Sequence, residues 1–102
     1  MTIEESKIMW EIEKSNTNFD LMSKPMKKMY DIVDKLINEG VITYEDFTND
    51  MIDEITNSII ENTKSEEIVQ RVEMVDRMCK KITEAYEAKY KDRESVGRDQ
   101  QV

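Results

Sequence analysis

The chain contains no histidine, one cysteine, one proline and two glycines among its 102 residues, and each shortage excludes something. Without histidine there is no side chain that ordinarily titrates near neutrality, so neither a Ser-His nor a Cys-His dyad can be written. The helical di-metal bundles built on Glu-x-x-His pairs are excluded for the same reason. A lone Cys79 cannot form an internal disulfide, and there is no Cys/His set with chelating spacing. Gly40 and Gly97 stand apart, so no glycine-rich phosphate loop exists. So little turn material also leaves few connections, which argues against an all-β architecture and for long helices with short joints.

Long apolar runs are missing too. No stretch approaches the ~20 residues needed to cross a bilayer. The opening residues, with Glu4 and Glu5, lack the basic and apolar regions of a secretory leader. The expectation is a reduced, cytoplasmic protein with no membrane contact. Hydrophobic residues make up 38% of the chain and charged residues 37%, below and above the usual proportions of ~45–50% and ~25% respectively. One modest core in one domain is what such a chain can build.

What is present reads as four helices. Thr2 suits an N-cap with Glu5 at the capping-box position, and the first helix runs to about Lys14. Its apolar residues divide into Ile8, Met9 and Ile12 on one side and Ile3 with Trp10 on the other, so it is either wedged between neighbours or shared with another molecule. Ser15-Asn16-Thr17-Asn18 breaks it. The second helix starts near Ser23, tolerates Pro25 in its first turn and ends at Gly40. Met22, Met26, Met29, Val33 and Leu36 form its stripe, opposite Lys24, Lys27, Lys28 and Lys35. Thr43 and Asp46 make a capping box for the third, which runs to about Glu61 with Tyr44, Phe47, Met51, Ile52, Ile55 and Ile59 as its expected buried face.

A long fourth helix follows, capped by Thr63 or Ser65. Its residues Ile68, Val72, Val75, Cys79, Ile82 and Tyr86 repeat as a heptad seam, with Met74 and Met78 beside it. The helix is expected to end near Arg93, leaving 94–102 as a flexible tail on a domain of 1–93. The fold expected is all-α: an antiparallel helical hairpin packed on the long C-terminal helix, with the first helix as a mobile or lid element. At 1.5 Å per residue the long helix outreaches its neighbours by roughly 15 Å. Part of the seam must then be solvated, covered by the first helix, or paired.

Charge is concentrated. Of a net −8, eight carboxylates lie between Thr43 and Glu67 against the single Lys64. At 100° per residue Asp46, Asp50, Asp53, Glu54 and Glu61 share one third of the third helix's circumference. Such a stripe is either a solvated face, with the lysines of the second helix available to neutralise it within the fold, or a docking surface for a basic protein. A third reading is mimicry of a nucleic-acid backbone that blocks a DNA- or RNA-binding protein. Direct nucleic-acid binding is not expected, because no basic patch interleaved with aromatics appears. Asn49–Glu54 has Met and Ile where a calcium loop needs ligands. A carboxylate-based metal bundle or enzyme remains the alternative from another class, with no cofactor indicated.

Eight methionines fit gap-filling in a helical core or an adaptable apolar groove for a partner helix. Trp10 is a core lid or an interface anchor. Taken together, the residues point to a non-catalytic acidic helical protein that binds another protein to regulate, inhibit or recruit it. It is expected to self-associate as a dimer, and Trp10, Ile68, Val72, Val75, Met78, Ile82 and Tyr86 are the apolar residues expected to contact either a protein partner or a second copy.

Overall fold

A computed structural model describes residues 1–63 and 67–99, with side chains described for 1–63 and 67–90. Four helices and one short turn of 3₁₀ helix make an all-α domain: α1 (Ile3–Ser15), the 3₁₀ turn (Phe19–Leu21), α2 (Lys24–Asn38), α3 (Tyr44–Glu61) and α4 (Ile68–Asp99). No described helix is long and apolar enough to cross a membrane.

The helix starts follow local chemistry. The side chains of Thr2, Ser23 and Thr43 accept the amide protons of Glu5, Met26 and Asp46, and at α3 the Asp46 carboxylate returns the bond to the Thr43 amide. Each bond satisfies a donor that the first turn leaves unpaired, worth about 1 kcal/mol. The α2 terminus is closed by Gly40 at φ +73°, with the Gly40 amide on the Ile37 carbonyl and the Val41 amide on that of Leu36. This is a Schellman cap, and it needs a left-handed residue. A Cβ on Gly40 would meet only the Ile3 side chain, with Cδ1 and Cγ2 at an ordinary 3.5 and 3.8 Å. Gly40→Ala should therefore cost the backbone term alone, about 1 kcal/mol. A thermal melt should show Tm lower by several degrees, and an unchanged Tm would mean the turn tolerates a side chain freely.

α2 and α3 form the hairpin, and both lie on α4, while α1 lies across α2 and α3. Direction can be read from the side-chain bonds. Ser23 reaches Asp76 and Lys28 reaches Glu87, so α2 runs with α4. Asp50 meets Tyr86, Glu54 meets Lys81, and Asn62 meets Arg77, so α3 runs against it. The core between them holds Met29, Val33, Leu36, Ile37, Ile42 and Phe47 against Met78, Cys79, Ile82 and Tyr86.

α1 is packed against the hairpin. Trp10 is fully buried, with its ring 5.2 Å from Tyr30 and 5.4 Å from Phe47 between centroids. Its indole Nε1–H donates to Asp34 Oδ1 at 2.9 Å, and Lys14 Nζ reaches the same oxygen at 2.7 Å. Burial opposes the Asp34 carboxylate, but the bonds from Lys14 and Trp10 outweigh it and hold its pKa below the usual range. Glu13 accepts from the Tyr30 and Tyr44 phenols at 3.1 and 3.3 Å. The Tyr44 amide donates to Ser6 Oγ at 2.7 Å. These bonds across three helices tie the inner side of α1 to the hairpin, while Ile8, Met9 and Ile12 remain exposed.

Two expectations about faces are corrected. On α3 the line facing the core is Phe47, Met51, Glu54 and Ser58, while Ile52, Ile55 and Ile59 are exposed. Phe47 sets the rotation by docking on Trp10 and Tyr30, and the Asp50–Tyr86 bond holds the acidic flank toward α4. The other concerns the seam of α4, whose Met78, Ile82 and Tyr86 are buried within the chain. α4 itself is helical to Asp99 over 32 residues, or roughly 48 Å at 1.5 Å per residue. The cap candidate Ser65 and residues 100–102 of the expected tail lie outside the described residues.

Candidate interaction surfaces

The seam of α4 divides into a covered half and an open half. Met78, Ile82 and Tyr86 are buried within the chain, as is Trp10. These four, expected to contact a partner, are not accessible to one in this fold. α2 and α3 cover α4 from about Val75 onward, because α2 starts from its cap Ser23 beside Asp76 and α3 ends at its cap Asn62 beside Arg77. Ile68 and Val72 are exposed, and Val75 is half-buried. Among the described side chains of α4, the exposed apolar residues of the seam thus lie at its amino-terminal end.

That end borders an open, mostly apolar groove of about 440 Å³. Leu21, Met22 and Met26 form one wall, and Ile68, Val72 and Val75 form the other. Arg71 and Asp76 stand at its polar edge, and Asp76 is held by the Ser23 hydroxyl at 2.6 Å. Met22 is buried and Leu21 almost wholly exposed. Leu21 was missed in the sequence because it follows the breaker Ser15–Asn18. Its signal was there: Phe19 and Leu21 are large apolar residues in a connection otherwise made of Ser, Asn, Thr and Asp, where solvation would favour polar ones.

The acidic stripe faces a second groove of about 830 Å³ between α3 and α4. Asp46, Asp50, Asp53 and Glu54 line one wall, and Lys81, Tyr86, Lys89 and Tyr90 line the other. Asp46 is occupied by the capping box. Asp50 accepts the Tyr86 phenol at 2.7 Å. Burial raises the Tyr86 pKa, and the neighbouring Asp50 carboxylate raises it further, so this proton stays on oxygen. Glu54 Oε2 is buried without a hydrogen bond, with Lys81 Nζ 3.9 Å away. Lys81 of α4 thus faces Glu54 of the stripe, while Lys28 of α2 pairs with Glu87 at 3.2 Å. Asp53 and Glu61 remain as exposed carboxylates.

Chemically these surfaces offer contact and charge. Cys79 is buried and unpaired, and burial, with Asp76 nearby, pushes its thiol up to about 11. A thiol so disposed is a packing atom, not a nucleophile. Among the described residues no group of three or more His, Cys, Asp or Glu is arranged to hold a metal ion. Compared with family models, with curated proteins and with solved structures, the chain matches none.

Proposed function

We propose that this protein is a non-catalytic helical binding domain that recruits, regulates or inhibits a protein partner. The observation that carries the reading is the apolar groove at the amino-terminal end of α4, where Ile68, Val72 and Leu21 meet water side by side. Contiguous apolar surface on a chain this small is costly to hydrate, and interaction sites are where it is retained. Met22 and Met26 supply adaptable side chains beneath it, suited to a partner helix. Asp53 and Glu61 add negative charge that selects a basic partner through encounter rate more than through affinity.

The test is affinity capture with the intact chain and with an Ile68→Asp/Val72→Asp variant as baits, each at low and high salt. Both positions are exposed, so the variant should keep its helicity by circular dichroism. A polypeptide retained by the natural chain at both salt concentrations and lost from the variant supports the reading; an empty or identical set of retained proteins overturns it. Reversing charge at Asp53 and Glu61 should reduce retention at low salt only, since exposed charges are screened at high salt.

A further inference from the structure

The open groove and the turn beside it complement each other, which leads to a specific occupant. We infer that a second copy of this chain seats on this face, as a two-fold dimer in which Leu21 of each copy enters the groove of the other. The inference rests on the binding role proposed above and names its partner.

Self-complementarity is what a two-fold interface requires, since the same patch must serve as both surfaces. This patch carries a projection and a recess. Leu21 is 83% exposed on the 3₁₀ turn, and the recess beside it is walled by Met26, Ile68 and Val72. It also carries both charges. Asp20 precedes the projecting Leu21, and Arg71 stands on the rim of the recess. Neither side chain has a partner among the described residues. A copy that inserts Leu21 beside Val72 brings its Asp20 toward the other copy's Arg71, and the symmetry makes that pair twice.

Area points the same way. Leu21, Ile68 and Val72 are exposed by 83%, 78% and 54%. Together they offer on the order of 400 Å² of surface, against ~800 Å² per partner in a standard interface. The half-buried Met26 and Val75 and the polar rim supply the remainder. The area fits a dimer of ordinary size without a third component.

Light scattering over a concentration series tests this directly. The expected particle mass is about twice the 12.1 kDa of one chain, falling toward 12.1 kDa on dilution. Leu21→Asp should abolish the dimer with unchanged helicity. Arg71→Asp should weaken it at least tenfold at low salt, and the paired exchange Asp20→Arg/Arg71→Asp should restore most of the loss. A 12.1 kDa particle at every concentration overturns the dimer while leaving heterologous binding to the capture experiment. A dimer indifferent to Leu21→Asp, or a charge exchange that restores nothing, overturns this geometry.

Discussion

Trp10→Ala should lower the unfolding free energy by about 3–5 kcal/mol, the range for emptying a buried aromatic site. Against a total of ~5–15 kcal/mol for a domain of this class, that is a fifth or more of the stability. The indole has no exposed surface, and its removal opens the space between Tyr30, Tyr44 and Phe47. It also takes away one of the two donors on Asp34. Trp10→Phe separates these contributions. It keeps most of the side-chain volume and loses the N–H with part of the bicyclic ring, while Lys14 still reaches Asp34, so its cost should be nearer 1–2 kcal/mol. Urea denaturation followed by circular dichroism measures both. A loss below about 1 kcal/mol for the alanine variant would mean that α1 contributes little to the fold.

The importance of Trp10 was half visible in the sequence. Its position opposite Ile8 and Ile12 made it a core lid or an interface anchor, and helical periodicity alone cannot choose between them. What chooses is Asp34, twenty-four residues away, which offers a part-buried acceptor on α2. The helix starts were legible because capping is local: Thr2, Ser23 and Thr43 need only their own first turns. The stripe of α2 was legible because its apolar residues all share one face. α3 was not, since it carries two competing faces. Its isoleucines and its carboxylates lie on opposite flanks, and the core line between them includes Glu54 and Ser58. Tertiary contacts at Phe47 and Asp50 decide the rotation, and these come from other helices.

The same distinction governs the surfaces. The length of α4 correctly implied an apolar excess, because rise per residue is fixed by helix geometry. Which end stays open depends on the level at which the hairpin docks, which the seam itself does not encode. The buried Met78, Ile82 and Tyr86 and the exposed Ile68 and Val72 belong to one heptad pattern, yet only the latter pair is available for contact. Leu21 became a candidate only once the 3₁₀ turn placed it beside Met26 and Val72.

Raising the pH from 9 to 12 should unfold the chain, and the reason lies in protons held by the core. Burial pushes Tyr30 up to about 12, with the Glu13 carboxylate adding to it, and pushes Cys79 up to about 11. Burial and the Asp50 carboxylate raise Tyr86 as well. In the unfolded chain these groups lose their protons near pH 8.5–10. The folded state therefore binds more protons than the unfolded state above that range. Stability is whole below the unfolded values and declines as pH climbs through the folded ones. At ~1.4 kcal/mol for each pH unit separating folded from unfolded pKa, Tyr30 and Cys79 together withdraw on the order of 5 kcal/mol by pH 12. That loss equals the lower end of ordinary domain stability. Helicity at 222 nm and phenolate absorbance should change together, because Tyr30 and Tyr86 ionise as the core opens. The Tyr30→Phe/Cys79→Ala variant removes two of the three proton-holding groups, so its alkaline midpoint should move upward relative to its own stability at pH 7. Helicity that stays level to pH 12, or phenolate formation well before any loss of helix, would show that these side chains are not sealed in the core.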